Sequence, residues 1–364
     1  MTQGPAAQPP EGRTPLLEIR DLKVAFAGRV GFFAGLRGRE GLVSRAVDGV
    51  NLEIFPGEIV ALAGESGCGK TTTARTIMGL ERPREGQILF EGQPLGRNLR
   101  KYRRRVQMVF QDPTAALNPR QTIYESVAEG LRIHGIHSSE EGVTEERLVA
   151  RALSRAGLRP PERFYLLYPH EISGGQRQRV VIAGALVLEP EVIVADEPVS
   201  SLDASVKGEI LALLLQLRND LGIAVLVVTH DLGLAWSIAD RVAVMYLGRI
   251  VEIGPADRVL TQPLHPYTKA LLDVVPEAGG IDRPYLQGEP PDPTKIPGGC
   301  RFHPRCPALA DGRAKDAGVD PLCVGEDLAL DEIQEQHFAA CHLTSKLRRL
   351  GEDPSRSTER PSAR

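Results

Sequence analysis

The sequence is poor in aromatic residues and has no long apolar run. Aromatic side chains make up 5% of the 364 residues, with a single tryptophan. The longest aliphatic stretches, such as 223–228, are about six residues long, whereas a helix needs about 20 apolar residues to cross a bilayer. Lys and Arg number 44 against 47 Asp and Glu, a net charge of −3. A chain that spans a membrane by itself, or that binds nucleic acid through bulk positive charge, is therefore not expected.

Cysteine is also scarce, with five residues in the chain. Residues 1–15 contain four prolines and lack the basic and then apolar pattern of a signal peptide. This favours a location in the reducing cytosol, so we interpret the cysteines as thiols or metal ligands rather than as disulfides. We expect residues 1–15 to form a disordered leader, and the polar, charged residues 351–364 to form a disordered tail.

Short aliphatic runs alternate with longer amphipathic segments, which is typical of an α/β core with buried parallel strands. The predicted strands are 59–63, 192–195, 224–228, 242–245 and 249–253. Apolar residues at helical spacing predict helices over 145–156, 173–188 and 208–217. From residue 263 the composition changes, because 13 of the 28 prolines and four of the five cysteines lie in the last 102 residues. We place a second, small, loop-rich domain there, at 263–350.

A phosphate-binding loop is predicted at residues 64–71, GESGCGKT, which match GxxxxGK[ST] between a predicted strand and a helical segment. Glycines there let backbone N–H groups turn around phosphate oxygens, and the helix N-terminus favours negative charge. Lys70 supplies a charge near the β and γ phosphates, and the Thr71 hydroxyl is a ligand for Mg²⁺. A glycine-rich turn with a solvated lysine is the alternative. The predicted nucleotide-binding residues of this segment are Gly64, Glu65, Ser66, Gly67, Cys68, Gly69, Lys70, Thr71 and Thr72.

A second acidic site follows another buried run, at Asp196 and Glu197. In a P-loop nucleotide hydrolase, an aspartate at this position holds the Mg²⁺ shell, and a glutamate one position on can polarise the attacking water. Two adjacent carboxylates repel each other unless a cation is bound. The alternative is a simple turn before Pro198.

Five further elements in order make the sequence resemble the nucleotide-binding subunits of ATP-binding-cassette (ABC) transporters over about residues 18–255. Phe26 resembles the aromatic residue that stacks on adenine, and Gln111 in VFQDP resembles the glutamine of the Q-loop. Residues 172–176, ISGGQ, resemble the signature motif. The D-loop and the switch histidine are matched by Ser201-Leu202-Asp203 and by His230. Phe32 and Phe33 are alternatives for adenine stacking, and His230 could instead be a packed histidine at a strand end.

The resemblance implies a fold and a set of site residues. The expected fold is α/β, a P-loop ABC ATPase core at 16–262, with a helical subdomain at about 112–185 that receives a coupling helix from a membrane subunit. The implied catalytic residues are Glu197, Gln111 and His230, and the implied Mg²⁺ ligands are Thr71, Gln111 and Asp196. The remaining implied nucleotide contacts are Phe26, Gln111, Ser173, Gly174, Gly175, Gln176, Asp196 and Asp203.

The resemblance also implies partners. Two such subunits pair head to tail, and each ATP lies between the P-loop of one and the signature of the other, so hydrolysis requires the dimer. HPYT at 265–268 and GCRFHPRCP at 299–307 resemble the C-terminal region of dipeptide and oligopeptide importers. The segments VFQDP at 109–113, ALNP at 116–119 and EPVS at 197–200 resemble the second of the two ATPases of such importers, which favours a heterodimer over a homodimer. The resemblance implies two transmembrane permeases as partners and an extracytoplasmic solute-binding protein as an indirect partner. It places the chain at the cytoplasmic face of the membrane as a peripheral protein, and it implies no nucleic-acid partner.

The four late cysteines, Cys300, Cys306, Cys323 and Cys341, are separated by 5, 16 and 17 residues. Four thiolates suit an iron–sulfur centre or zinc, and the absence of short ligand pairs favours iron–sulfur. The resemblance implies a 4Fe–4S cluster, whereas reduced thiols without a metal are the alternative. His303 and His342 are spare candidates as ligands.

Three other functions compete with peptide import. Related importers carry nickel or other small solutes with similar ATPases. A DNA-maintenance ABC ATPase separates its P-loop from its signature by long coiled coils or zinc modules, whereas Lys70 and Ser173 are 103 positions apart without sustained heptads. A redox-sensing regulator built on the cysteines is the third. We interpret the basic run 101–105 as a solvent-exposed surface rather than as a nucleic-acid contact.

Overall fold

The computed structural model describes residues 14–27, 43–136, 143–273 and 288–358. Its strands, in chain order, are β1 Leu17–Ala27, β2 Val43–Ile54, β3 Ile59–Ala63, β4 Glu85–Phe90, β5 Gln93–Pro94, β6 Val106–Val109, β7 Val192–Asp196, β8 Ala224–Thr229, β9 Arg241–Tyr246, β10 Arg249–Pro255, β11 Asp331–Gln334 and β12 His337–Ala339. All five predicted strands are confirmed.

The α-helices, in chain order, are α1 Lys70–Ile77, α2 Arg100–Arg105, α3 Pro113–Ala116, α4 Ile123–His134, α5 Glu145–Arg155, α6 Gly174–Leu186, α7 Ala204–Leu221, α8 Leu232–Ile238, α9 Ala256–Thr261, α10 Pro266–Asp273, α11 Pro307–Ala310, α12 Arg313–Asp316, α13 Asp320–Gly325 and α14 His342–Arg349. The three predicted helices are confirmed as α5, α6 and α7. None of the helices in the described residues is long and apolar enough to cross a membrane.

An eight-stranded sheet forms the centre of the protein, in the order β11-β12-β10-β9-β3-β8-β7-β6. The five strands from β9 to β6 in that order are parallel, and β10, β12 and β11 are antiparallel. Every residue of β3, β7 and β8 is buried, which explains their uninterrupted aliphatic sequence. A second sheet, in the order β2-β1-β4-β5, is antiparallel.

Alternate residues of the central strands pack into different layers of the core. Along β7, Ile193 and Ala195 belong to a cluster with the helices α4, α5 and α6. Val192 and Val194 belong to another cluster, which includes residues of β1, β2 and β4. Because successive side chains of a strand point to opposite faces, helices α4, α5 and α6 and the four-stranded sheet lie on opposite faces of the central sheet.

The segment after residue 263 extends the central sheet rather than forming a sheet of its own among the described residues. Strand β12 pairs with β10 through Glu252 and Ala339. The buried Glu252 accepts hydrogen bonds from the backbone N–H groups of Leu264 and His265, both at 2.8 Å, and its Oε1 lies 2.7 Å from Nε2 of His337. This buried polar network joins the C-terminal segment to the central sheet.

The expectation of a disordered tail is wrong for residues 351–358. A 3₁₀ turn spans Pro354–Ser357, and the buried Ser357 hydroxyl donates to the carbonyl of Leu264 at 2.9 Å. Thr344 also donates to Leu264, at 2.6 Å. Both hydroxyls satisfy the buried carbonyl of Leu264. Polar residues can therefore be buried in this segment, and its low apolar content did not predict that it packs against the protein. The rest of the predicted tail, 359–364, and residues 1–13 of the predicted leader lie outside the described residues.

Candidate active site

The functional residues converge because three parallel strands end at one edge of the central sheet. Ala63, the last residue of β3, pairs with Thr229 of β8, and Asp196 of β7 pairs with Val228. The segments that follow these strands carry the P-loop, Glu197 and His230. Ligands of α/β proteins bind at the carboxyl ends of such strands, so this edge is the candidate site.

The P-loop at 64–71 wraps around the amine of its own lysine. Lys70 Nζ donates to the carbonyls of Gly64 at 2.7 Å and Glu65 at 2.8 Å. Gly69 precedes α1 with φ of 112°, and a Cβ there would lie 2.1 Å from the carbonyl oxygen of Ala46. Only glycine fits this position, which brings the N-terminus of α1 to the loop. Burial raises the pKa of the Cys68 thiol, which makes this thiol a poor nucleophile at neutral pH.

Two of the three predicted Mg²⁺ ligands, Thr71 and Asp196, contact each other, whereas Gln111 contacts Glu197. The Thr71 hydroxyl donates to Oδ1 of Asp196 at 3.1 Å. Burial raises the pKa of the Asp196 carboxyl, although the hydrogen bond from Thr71 and the charge of Lys70 act to lower it. A buried carboxylate beside a hydroxyl, with a second carboxylate next in sequence, is a donor set that suits Mg²⁺. When bound, the ion would neutralise phosphate charge.

Glu197 is held between the two other predicted catalytic residues. Its Oε2 accepts from Nε2 of Gln111 at 3.0 Å, and its Oε1 lies 3.1 Å from Nδ1 of His230. Gln111 and His230 are exposed, while the Glu197 side chain is 18% exposed. Glu197 has φ of 46°, in the left-handed region. Three segments therefore place one carboxylate, one amide and one imidazole at the sheet edge beside Asp196, an arrangement that can orient and deprotonate a water.

The predicted signature residues begin helix α6. Ser173 caps the helix: its hydroxyl accepts from the backbone N–H of Gln176 at 3.2 Å, and the Gln176 side chain accepts from the Ser173 N–H at 2.9 Å. A Cβ on Gly175 would lie 2.6 Å from Val206 of α7, so this glycine permits close packing beside the D-loop. The hydrogen bonds of Ser173 in the described structure stay within this turn. None of these hydrogen bonds therefore joins the signature to the P-loop of the same chain.

The other predicted contacts are exposed. Asp203 precedes α7, and its side chain makes no capping hydrogen bond. Phe26, near the end of β1, is 42% exposed and pairs with Ser44 of β2. No described residue stacks on Phe26, and the alternatives Phe32 and Phe33 lie outside the described residues. Adenine stacking therefore stays a prediction.

Two residues that contact the P-loop were not predicted from sequence patterns. The hydroxyl of Tyr267 accepts from the Glu65 N–H at 2.9 Å, and the Arg305 guanidinium donates to both oxygens of the Glu65 carboxylate at 2.8 and 3.1 Å. The motifs HPYT and FHPRC, which served only for the resemblance, contain these two residues. Their separation from Glu65 by 202 and 240 positions explains why local patterns could not assign the contact.

The four late cysteines line one small cavity, together with His303 and His342. The cavity has a volume of about 20 Å³, room for about one water molecule. Burial, together with the charge of Cys341, raises the pKa of Cys306 to about 12 and that of Cys323 to about 11. Burial likewise raises the pKa of Cys300 and Cys341. In the part of the chain that the structure describes, no group of three or more Cys, His, Asp or Glu residues is arranged to hold a metal ion.

This fold and this site define an ABC ATPase, and comparisons with known proteins agree. Residues 47–200 match the sequence model of the ABC transporter family, and residues 251–312 match that of the oligopeptide/dipeptide transporter C-terminal region. The chain is 43% identical over 340 residues to the oligopeptide transport ATP-binding protein AppF of Bacillus subtilis, covering 91% of this chain and 98% of AppF. It is 43% identical over 325 residues to OppF of Escherichia coli K12, covering 85% and 93%.

The chain therefore belongs to the family of ABC transporter ATP-binding proteins that includes these oligopeptide transport subunits, and it is an ATPase coupled to transport. Solved cassettes share the fold. The dimeric cassette MJ0796 bound to ADP and Pi is 31% identical with a TM-score of 0.55, covering 66% of this chain and 98% of that one. CbiO1 of Clostridium perfringens is 31% identical with a TM-score of 0.56, covering 67% and 90%.

Proposed function

We propose that this chain hydrolyses ATP to energise the import of dipeptides or oligopeptides from the cytoplasmic face of the membrane. The observation that carries the enzymatic part is the contact of Glu197 with both Gln111 and His230, next to the Thr71–Asp196 pair. The peptide cargo is supported by the match of residues 251–312 to the peptide-transporter C-terminal region and by the names of the relatives.

The residues of the site take the following roles. Backbone N–H groups of the P-loop and Lys70 bind the phosphates, while Thr71, Asp196 and Gln111 hold Mg²⁺. Glu197 accepts a proton from the attacking water, and His230 and Gln111 fix the orientation of its carboxylate. Ser173, Gly174, Gly175 and Gln176, with Asp203, act on the ATP bound to the facing subunit.

The facing subunit is a related ATPase in a heterodimer, with a homodimer as the alternative. The exposed signature turn supports a facing subunit of either kind, because the hydrogen bonds of Ser173 stay within its own turn and do not reach the P-loop of the same chain. Two permeases contact the helical segment of about 112–185, and an extracytoplasmic binding protein delivers the cargo to them. As domain boundaries we propose 16–262 for the ABC domain and 263–350 for the C-terminal domain. Residues 351–358 pack against the C-terminal domain.

Purification of the assembled transporter tests this function. The tagged full-length chain is isolated from solubilised membranes, the co-purifying proteins are identified, and the complex is reconstituted into vesicles with Mg·ATP. We expect a second ATPase and two permeases, and uptake of labelled dipeptides or oligopeptides that stops in the Glu197→Gln variant. Uptake of nickel but not peptides would favour the alternative cargo, and purification without any membrane protein would contradict the proposal.

We further propose that Cys300, Cys306, Cys323 and Cys341 ligate a 4Fe–4S cluster. The support is that thiols from four separate positions line one cavity, a donor set that suits iron–sulfur chemistry. Because the cavity is about 20 Å³, the thiols must move apart to take the cluster. Zinc with the same thiols is the alternative.

Anaerobic purification followed by iron, sulfide and zinc analysis tests the cluster. We expect about four iron and four sulfide per chain with visible absorption, lost in Cys306→Ser and kept in the control Cys68→Ser, whose thiol lies in the P-loop. A colourless, iron-free protein that supports normal transport would contradict both the cluster and a redox-sensing role.

A further inference from the structure

Glu65, the second residue of the P-loop motif, is bound by the C-terminal segment through both its side chain and its backbone. Its carboxylate receives two hydrogen bonds from the Arg305 guanidinium, at 2.8 and 3.1 Å, which is the bidentate arrangement of a strong ion pair. Its backbone N–H donates to the Tyr267 hydroxyl at 2.9 Å. The P-loop of this chain is therefore fixed from outside the ABC core segment at 16–262.

The two residues that bind Glu65 are themselves rigidly held. The Arg305 side chain is 5% exposed, and its guanidinium lies over the ring of Tyr246, with 5.9 Å to the centroid. The Tyr267 ring is fully buried, 4.6 Å from Tyr246 and 5.3 Å from Phe302 between ring centroids. Aromatic packing of this kind leaves little rotameric freedom, so the two groups are pre-organised.

A neutral histidine completes the support on the side of Tyr267. Nδ1 of His265 accepts the Tyr267 backbone N–H at 3.0 Å. Burial lowers the pKa of His265 to about 3, so the ring is uncharged at neutral pH and keeps a lone pair for this bond. His265 is joined in turn to Glu252 of β10 through its backbone N–H at 2.8 Å. The anchor of Tyr267 therefore reaches into the central sheet.

The position of Glu65 matters because its carbonyl binds the lysine of the site. Lys70 Nζ donates to the Glu65 carbonyl at 2.8 Å and to the Gly64 carbonyl at 2.7 Å. A displacement of Glu65 would therefore displace a carbonyl that holds the Lys70 amine, the group proposed to bind the phosphates. Misplacing a binding group by about 1 Å can cost about 100-fold in rate.

We propose that Arg305 and Tyr267 are positioning residues of the nucleotide site: by holding Glu65, they hold the P-loop and the amine of Lys70 in the conformation that binds ATP. This inference rests on the proposed role of Lys70 in nucleotide binding. It assigns to the C-terminal segment a part in ATP binding that is separate from cargo.

Calorimetric titration of the full-length chain with ATP tests the inference. Arg305→Ala and Glu65→Gln each remove the ion pair, and we expect the Kd for ATP to rise about tenfold in each. The double variant should show the same rise as either single variant, because both act through one contact. Arg305→Lys keeps the charge and should recover part of the affinity. In the assembled transporter, KM for ATP should rise more than kcat falls, since the ion pair lies outside the contacts of Glu197.

Arg313→Ala is the matched control. Arg313 is also a C-terminal arginine in an ion pair, but it pairs with Asp311 and donates to the carbonyl of Ser357 at 2.8 Å. We expect it to lower thermal stability and to leave the Kd for ATP unchanged. Unchanged affinity in Arg305→Ala, additive losses in the double variant, or an equal loss in Arg313→Ala would overturn the inference.

Two further variants keep the test decisive. If Arg305→Ala does not fold, Glu65→Gln and Tyr267→Phe, which each remove one contact of Glu65, must still weaken ATP binding, or the inference is overturned. Lys70→Ala is measured alongside. Normal ATP binding by Lys70→Ala would contradict the proposed nucleotide site itself, which distinguishes that failure from a failure of the positioning role.

Discussion

Glu197 and His230 are joined side chain to side chain, with 3.1 Å between Oε1 of the carboxylate and Nδ1 of the imidazole. The other carboxylate oxygen accepts from Gln111 at 3.0 Å. Glu197 adopts φ of 46°, a conformation that is costly for a residue with a side chain and that persists only where the surrounding structure enforces it. Two flanking contacts and a constrained backbone thus leave the carboxylate one orientation, as a general base requires.

Glu197→Gln is expected to abolish hydrolysis and leave ATP binding intact. The amide preserves the shape of the side chain but cannot accept a proton from water, so kcat should fall about 10²- to 10⁴-fold. Phosphate release under saturating Mg·ATP and calorimetric titration with ATP provide the two measurements. Turnover equal to the parent would show that another group is the base.

Lys70→Ala is expected to lose nucleotide affinity. The amine makes charge-assisted hydrogen bonds, whose loss corresponds to a rise of roughly tenfold or more in the Kd for ATP. Lys346→Ala, an exposed lysine on α14, is the control and should bind as the parent does. Equal affinity in Lys70→Ala and Lys346→Ala would contradict the assignment.

Asp196→Asn is expected to stabilise the metal-free protein at neutral pH. Burial raises the pKa of Asp196 above its ordinary value of 3.8, so the folded state holds this proton more tightly than the unfolded state. Ionisation therefore costs stability as pH rises through the folded-state pKa, and the cost is absent below about 3.8. Thermal unfolding without Mg²⁺ should give a Tm a few degrees higher for Asp196→Asn at pH 7, with no difference at the acidic limit.

The same variant should respond less to Mg²⁺. In the parent, the ion removes the cost of the buried charge, so Mg·ATP should raise the Tm more in the parent than in Asp196→Asn. An equal shift in both proteins would exclude Asp196 from the metal site.

Gly69→Ala is expected to destabilise the fold more than Gly67→Ala. Both glycines have positive φ, 112° and 78°, but a Cβ on Gly69 would lie 2.1 Å from the Ala46 carbonyl, whereas one on Gly67 meets nothing within 4 Å. Backbone strain costs each variant about 1–3 kcal/mol, and the clash adds to the cost at Gly69 alone. Chemical denaturation measures the difference, and equal losses would contradict it.

The core of the protein was predictable because its signals are local. Buried parallel strands such as β3 and β8 have uninterrupted aliphatic sequence, and the P-loop is a contiguous motif whose glycines meet a fixed backbone geometry. Glu197 was predicted from the acidic pair at the end of a buried run and His230 from the family resemblance, and the structure brings them together because parallel strands end at one edge.

The C-terminal segment was less predictable because its contacts are long-range and polar. Tyr267 and Arg305 reach Glu65 across more than 200 residues, and no periodicity encodes such a pair. Ser357 is buried although its segment is polar, since its hydroxyl satisfies the carbonyl of Leu264. Burial that depends on hydrogen bonding rather than apolar area is invisible to hydrophobic patterning.

The pairing of two ATPase subunits around ATP is tested most directly by the mass of the Glu197→Gln variant mixed with its co-purified partner ATPase, measured by light scattering with and without Mg·ATP. The account predicts dimers only with Mg·ATP, and monomers again when Ser173→Arg is added to block the signature turn. Monomers under all conditions, together with full hydrolysis by the isolated parent chain as a monomer, would contradict it.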